Sequence, residues 1–407
     1  MQNIIVERPY KFVPPHRGTW WPTVIARMQL FAPHLRKVDG VVDYELRNVE
    51  RLRASIAAGH GILLTPNHSR NADPLVMGWL VRETPCFVYA MASWHLFNQD
   101  RFMTWAIPKM GGFSINREGV DRQALNMAVD VLAEADRPLV IFPEGAVTRT
   151  NDKLHTMLDG VAFIARTAAK RRARENPDHR VVVHPVALKY LFGGDIHEQA
   201  GEVLGEIEKR LTWPPQTGRP LLDRIEFVGR GLLTLKELQY FGEPQSGKTG
   251  ERMLRLTERL LGPLEEEWLG EVKTGAVVPR VKAIRMKVMP EMARGELDEA
   301  ERKRRWSQLE DSYLAQQISC YPADYLNLPT VDRFLETVER FEEDVTDKVR
   351  VHGNLKVVID IGEPIVVSTT RDKKAEEDPL MVEIRERLQG MLDLLAQESR
   401  LLNPDEV

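Results

Sequence analysis

An α/β layered domain interrupted by a large, mostly helical insertion is the fold class that this 407-residue chain predicts. Two observations carry the prediction. Short apolar runs near residues 61–66, 86–90, 111–115, 138–142 and 181–188 alternate with helical segments, as strands and helices do in layered α/β domains. Between Phe192 and Asn354 the pattern changes to long charged helices, and it then returns to a strand at Leu355 to Ile361. The expected organisation is an N-terminal amphipathic helical segment at 1–39, a first domain part at 40–192, a helical insertion at 193–353, and a closing strand and C-terminal helix at 354–407.

Taken in order, the first segment places Trp20, Val24, Met28, Phe31 and Leu35 on one helical face, with Trp21 and Ile25 alongside. Pro22 suits a first turn, Pro33 ends or kinks the helix, and Arg27, Arg36 and Lys37 supply cations. Such a helix either lies in a lipid interface or packs on its own domain. Gly61 to Pro66 is a buried strand. Phe97, Phe102, Trp105 and Ile107 form an aromatic-rich stretch suited to an acyl channel, a lipid contact or plain core packing. Val120 to Ala135 and Phe163 to Ala169 are helices, and Lys170 to Arg174 is either a solvated helix end or a contact for anionic headgroups. His184, inside an apolar strand before Pro185, reads as a core histidine with satisfied hydrogen bonds.

In the insertion, Met253, Leu256, Leu260, Leu264 and Trp268 keep helical spacing, as do Val331, Phe334, Leu335, Val338, Phe341 and Val345. The stretch is too long for an ordinary loop. Gly242 to Thr249 matches the P-loop pattern letter for letter, but that motif works only between a buried strand and a helix. Lys236, Glu237 and Gln239 interrupt the residues before it, so a polar turn ahead of a helix accounts for it better. The C-terminal helix carries Leu380, Ile384, Leu388, Met391 and Leu395.

Composition narrows the function classes. A 43% hydrophobic content supports a sizeable core, and a formal charge of −4 gives no nucleic-acid signature. Cys86 and Cys320 make no disulfide framework and point to a reducing compartment, and the ten histidines show no zinc spacing. The N-terminus lacks a signal-peptide pattern, and no apolar run approaches the ~18–20 residues needed to span a bilayer.

The chemistry is concentrated in Asn67-His68-Ser69-Arg70-Asn71-Ala72-Asp73, just after the first buried strand. A histidine can take a proton from a hydroxyl, and a nearby carboxylate fixes its tautomer and stabilises the imidazolium. The bland alternative is an Asp73 N-cap, followed by Pro74 in a first helical turn, beside a surface histidine. Ser69 is the window's best nucleophile, so the simplest chemistry is a base that activates a substrate alcohol. Further blocks follow: Gly111-Gly112-Phe113-Ser114-Ile115-Asn116-Arg117, then Phe142-Pro143-Glu144-Gly145, then the strand around His184-Pro185-Val186-Ala187.

In this order the blocks resemble the glycerolipid acyltransferase family, with its Asn-His-x4-Asp, Gly-x-x-Phe-Ile-x-Arg, Phe-Pro-Glu-Gly and Val-Pro-Val-type segments; Val358 to Ile365 resembles its closing strand and turn. The resemblance covers roughly residues 40–192 and 354–400 and implies a central mixed sheet flanked by helices. It implies that His68 deprotonates the acceptor hydroxyl, Asp73 orients His68, Arg117 binds an acceptor phosphate, and Glu144 and Gly145 shape the acceptor pocket, with Asn67, Gly112, Phe142 and Pro143 in support. The family continues Phe-Pro-Glu-Gly with Thr-Arg, whereas here Arg149 comes two residues late, leaving Arg149 or Lys153 as the second cation.

The implied reaction moves an acyl group from coenzyme A or acyl carrier protein, a co-substrate rather than a bound cofactor, to a lysophospholipid such as 1-acylglycerol-3-phosphate. The implied setting is cytoplasmic, peripheral on the inner face of a membrane. The rival readings are acylation of another alcohol-bearing lipid, hydrolysis with water replacing the acceptor, a non-catalytic membrane or partner-binding module, and a nucleotide-binding switch.

Overall fold

A computed structural model describes residues 6–176, 178–322, 324–348, 350–371 and 374–402. One eight-stranded sheet is built from β1 (Val41–Arg47), β2 (Gly61–Pro66), β3 (Tyr89–Ser93), β4 (Gly112–Ile115), β5 (Leu139–Val140), β6 (Val181–Phe192), β7 (Leu355–Ile361) and β8 (Ile365–Val366). The spatial order is β1-β7-β6-β2-β5-β3-β4, with β8 pairing β6 off this path. β6 runs antiparallel to β7 and β8, and the other pairs are parallel, so the sheet is mixed.

The helices are α1 (Trp20–Met28), α2 (Ala32–Lys37), α3 (Val49–Ala57), α4 (Asp73–Val76), α5 (Arg101–Lys109), α6 (Arg122–Glu134), α7 (Gly160–Glu175), α8 (Ile196–Arg210), α9 (Leu221–Phe241), α10 (Thr249–Leu269), α11 (Val277–Arg294), α12 (Glu299–Ser319), α13 (Val331–Thr346) and α14 (Pro379–Ala396). They cover both faces of the sheet, which is why β2 and β6 read as continuous apolar runs rather than alternating ones. Successive side chains point to opposite faces. Leu63 accordingly belongs to the core that holds Ala128 of α6 and Ala165 of α7, while Leu64 belongs to the core on the other face, with Leu204 of α8 and Phe334 of α13.

Each expected strand is present, β2 and β7 with the expected bounds and the others with shifted ends. β3 starts at Tyr89 rather than Cys86, and β5 keeps only Leu139 and Val140 of the 138–142 run before the chain turns into its Pro-Glu-Gly loop. β1 was not anticipated. It is a sheet edge, and its Asp43, Glu45 and Arg47 break the apolar pattern while β7 alone pairs with it.

The first amphipathic segment is two helices rather than one. Gln29 adopts a left-handed conformation (φ 51°) and ends α1, and Pro33 then sits in the first turn of α2 instead of ending a helix. The apolar face is divided accordingly: Leu35 is in the core, whereas Trp20 and Met28 are exposed.

The insertion is helical throughout its named elements but uneven in its packing. α8, the first half of α9, and α13 join the core of the sheet through Ile196, Val203, Ile225, Val228, Phe334 and Val338. α10, α11 and α12 build a separate core around Leu256, Leu260, Ile284, Val288 and Leu309. The Gly242–Thr249 stretch links α9 to α10, so a helix rather than a strand precedes it and no P-loop forms. An extended N-terminal segment straps these parts together. Glu7 takes the Trp306 indole N–H of α12 at 2.8 Å, Val13 bonds Ser114 of β4, and Arg17 pairs with Glu134 of α6.

Candidate functional site

The site forms where β2 ends. Pro66 has no N–H to continue a ladder, and the Asn67 side chain replaces backbone pairing. Its amide donates to Leu188 O at 3.0 Å and its oxygen accepts from Leu188 N at 2.7 Å, clamping the turn to β6. His68 is thereby held at the edge of the sheet, 16% exposed, with Nδ1 2.8 Å from Asp73 Oδ2. Asp73 is not an N-cap: it lies inside α4, and its carboxylate turns toward the histidine. That carboxylate also accepts the Arg70 N–H at 2.9 Å and the Tyr190 hydroxyl at 2.5 Å.

The backbone of His68 is equally constrained. Its N–H donates to Glu144 Oε1 at 2.8 Å, and its carbonyl accepts from the Thr148 N–H at 2.8 Å. The ring stacks on Phe142 at 4.2 Å and 29°. With Nδ1 held by Asp73, Nε2 is the nitrogen free to exchange a proton. The arrangement can act as a general base on a hydroxyl.

Glu144 Oε2 accepts the His155 N–H at 2.8 Å, so both carboxylate oxygens are occupied by backbone amides. Burial pushes its carboxyl up from 4.5 to about 7, although the two amides pull it down. Its role here is to fix the His68 loop against the following loop rather than to present an acid to solvent. Gly145 has φ +69°, and a Cβ there would lie 2.6 Å from Leu158 Cδ1 and 3.7 Å from Arg117 Nη2. A side chain at 145 would thus be strained and would clash with Leu158, with the Arg117 guanidinium in ordinary contact. Gly112 is tighter still, since a Cβ would clash with Ile107 Cγ2 and lie 2.9 Å from the Ile107 carbonyl oxygen, and Pro143 accepts the Leu158 N–H at 2.8 Å.

Arg117 follows β4 and reaches the same loop. Among the described residues it has no hydrogen-bonded or ion-paired partner. Burial first, and then the Arg285 guanidinium of α11, lower its pKa to about 10. Arg149 is placed differently: it is buried, at φ +59°, in an ion pair with Glu343 of α13 at 3.0 Å. Lys153 pairs with Asp324 at 2.5 Å. The structure therefore gathers His68, Asp73, Asn67, Glu144, Gly145, Phe142, Pro143 and Arg117 around one loop cluster, while Arg149 and Lys153 are committed to carboxylates.

Sequence reasoning missed Tyr190, Arg70 and the polar face of α13. Arg70 is buried and pairs with Glu339 at 2.9 Å. Burial alone would lower its pKa, but Glu339 and Glu336 hold it above the ordinary value. Arg340 donates to Thr148 O at 2.6 Å and Arg333 to Asp152 at 2.8 Å, while Lys189 lies 2.5 Å from Asp152 and 3.2 Å from Asp332. The signal was Lys189-Tyr190 at the end of an otherwise apolar strand, which asks for buried partners. His184 satisfies both ring nitrogens, on Ser55 Oγ at 2.9 Å and Gly362 O at 2.8 Å. Among the described residues, no group of three or more His, Cys, Asp or Glu side chains is placed to hold a metal ion.

The family model described as "Acyltransferase" matches residues 43–189, which contain the site residues named above apart from Tyr190 and those on α11 and α13. The chain is similar to the 1-acyl-sn-glycerol-3-phosphate acyltransferase of Streptococcus pneumoniae (strain ATCC BAA-255 / R6), with 34% identity over 110 residues. That match takes in 27% of this chain and 38% of the relative, so the chain spans well under half of the relative's length.

Proposed function

We propose that this chain, whose residues 43–189 match the acyltransferase family model, transfers a fatty acyl group from a thioester to the hydroxyl of a lysophospholipid such as 1-acylglycerol-3-phosphate. The observation carrying this reading is the His68–Asp73 contact of 2.8 Å beside the unpaired Arg117. His68 Nε2 takes the proton of the acceptor hydroxyl as its oxygen attacks the thioester carbonyl carbon. The tetrahedral intermediate collapses with cleavage of the C–S bond, and the imidazolium returns its proton to the leaving thiolate. The acceptor is itself the nucleophile, so no acyl-enzyme forms. Coenzyme A and acyl carrier protein are the two donors to compare.

A lipid acceptor sits in a bilayer surface, and among the described residues no helix is long and apolar enough to cross a membrane. The reading therefore includes peripheral docking at the inner face of a membrane. Trp20, Trp21, Trp105 and Phe102 form a continuous aromatic ridge, with ring centroids 4.4, 4.8 and 6.2 Å apart in turn. Trp20, Phe102 and Trp105 are exposed, beside exposed Arg27 and Arg101. Apolar burial combined with attraction to anionic lipid is how such surfaces attach.

Capture of Arg149 by Glu343 favours a second reading, in which the acceptor is another alcohol-bearing lipid. Product analysis by mass spectrometry separates the two. Purified protein is given acyl thioesters with lysophosphatidic acid, other lysophospholipids, glycerol 3-phosphate and neutral alcohols. Turnover confined to neutral alcohols would remove the phosphate from the reading, and no acyl product with any acceptor would remove the reading itself.

A further inference from the structure

We propose that Arg285, on α11 of the helical insertion, is a second binding residue for the acceptor's phosphate monoester, working with Arg117. The inference rests on the acyl-transfer reading above and specifies how its acceptor is recognised.

The loop after β5 falls short of available positive charge. A phosphate monoester carries roughly −1.5 to −2 charges at neutral pH, more than one guanidinium neutralises. The residue that the chain's own loop offers as a second cation, Arg149, is buried against Glu343, and Lys153 is paired with Asp324. α11 supplies another. Val281, Ile284 and Val288 face the core of the insertion, and Arg285 projects from the flank of that face toward the loop after β4. There its Nη2 donates to Glu118 Oε1 at 2.5 Å, on the residue next to Arg117.

Arg285 is 12% exposed at its side chain, and its Nε is buried without a hydrogen-bond partner. Leaving such a buried donor unmatched is costly, and a ligand oxygen would remove that cost. Among the described residues Arg117 likewise has no acceptor. Arg117, Arg285 and Glu118 together carry a net charge of +1. The consequence is visible on His95, whose pKa is pushed down to about 3 by burial and then by Arg117 and Arg285, so its imidazole stays neutral there. His95 Nδ1 is engaged with Ser93 Oγ at 2.9 Å. An anion entering between Arg117 and Arg285 finds the unmatched fork of Arg117, the donors of Arg285 that Glu118 leaves, and two positive charges.

The test uses the full chain and three variants: Arg285→Ala, Arg285→Lys and Glu118→Gln. With 1-acylglycerol-3-phosphate, Arg285→Ala should raise the acceptor KM about 10- to 100-fold while leaving the donor KM unchanged, and Arg285→Lys should recover part of the loss. Glycerol 3-phosphate binding, measured by calorimetry, should weaken in parallel whether or not turnover is seen. Glu118→Gln keeps the cation and removes its partner, so its acceptor KM should stay level or fall; a rise matching that of Arg285→Ala would make the pair structural and overturn the proposal. An equal penalty with a monoacylglycerol acceptor would overturn it too. A penalty that disappears when an acyl-pantetheine replaces acyl-coenzyme A would assign Arg285 to the donor's phosphates instead. If the wild-type chain acylates only neutral alcohols and binds no glycerol 3-phosphate, the acceptor reading falls first and this inference with it. If wild type uses the phosphorylated acceptor and Arg285→Ala behaves like it, this inference alone falls.

Discussion

Tyr190 donates a 2.5 Å hydrogen bond to Asp73 Oδ1, while His68 Nδ1 lies on the other oxygen of the same carboxylate. The carboxylate is thus held from two sides, by the end of β6 and by the loop after β2. Tyr190 is a positioning residue, since it reaches the histidine only through Asp73. Tyr190→Phe should lower kcat by several-fold to about tenfold with KM for both substrates unchanged, in keeping with loss of about one hydrogen bond to a charged group. A comparable change in either KM would show that the tyrosine shapes a binding pocket instead.

Loss of the base should be far more severe. His68→Ala should reduce acyl transfer by 10²–10⁴-fold, the typical range for general-base removal, with a nearly unchanged melting temperature. Asp73→Asn should cost as much or less, because it disturbs orientation without removing the base. Single-turnover rates with the best acceptor from the panel would check both. Wild-type-like rates in His68→Ala would end the proposed mechanism.

Arg117→Ala should raise the acceptor KM more than the donor KM, by several-fold to a hundredfold, since a charge-assisted contact contributes about 1.5–3 kcal/mol. Initial rates over a grid of both substrates separate the two constants. An unchanged acceptor dependence would favour a neutral acceptor.

Three buried carboxyls should each lose their stabilising contribution as pH rises toward and through neutrality. Glu144 is raised to about 7, Glu336 to about 7 and Asp344 to about 6, in each case first by burial. Unfolded, these groups release their protons nearer pH 4–4.5, so in between the folded chain holds more protons. Their contribution is complete below the unfolded values and is lost as pH passes the folded ones. For Glu144, the gap from 4.5 to about 7 corresponds to on the order of 3 kcal/mol. Glu45, depressed to about 2 first by its bond to Arg47, titrates below this window. The buried histidines act in the opposite sense, since His95 and His155 are held well below their unfolded value, so the readout is the difference between wild type and Glu144→Gln. In urea unfolding the wild type should lose stability relative to Glu144→Gln between about pH 5 and 8, and a difference that moves in favour of the wild type across that window would contradict the assignment.

Vesicle binding should depend on the ridge between α1 and α5. Trp20, Met28 and Phe102 are exposed, so replacing them with Ser should weaken binding to anionic vesicles and leave the fold intact. Trp21 and Phe31 are poorer choices, because Trp21 packs edge-on against Trp105 under Lys109 and Phe31 is half-buried beside α2. Co-sedimentation with and without high salt would measure the effect. If the triple variant sediments like wild type, attachment lies elsewhere.

The layered α/β class, the buried strands and the His68 block were legible because each depends on local pattern: β-branched runs, a proline after a strand, a histidine and an aspartate five residues apart. What escaped depends on distant partners. β1 looks too polar for a strand because it is a sheet edge, completed only by β7. Arg149 has the spacing of a near-match to a phosphate-binding block, and only the position of Glu343 reveals that its charge is taken. α13 has an apolar face that predicts a surface helix, yet its other face, Arg333, Glu336, Glu339 and Arg340, is buried against Asp152, Arg70 and Thr148. Periodicity cannot see a polar face that is covered by complementary charge.

The placement of β7 between β1 and β6 has a consequence for synthesis. β1 is complete as sequence by Arg47, but among the described residues the one strand it pairs with spans Leu355–Ile361. While the ribosome makes the intervening residues, the nascent chain must keep β1 and the open edge of β6 apart and unpaired. An uncovered strand edge is a template for pairing with another chain. Contacts this distant in sequence also slow folding, because loop closure must precede the gain from pairing. Chains arrested just before Leu355 should therefore expose both edges and depend on chaperones, whereas chains extended beyond Ile361 can close the sheet in one step.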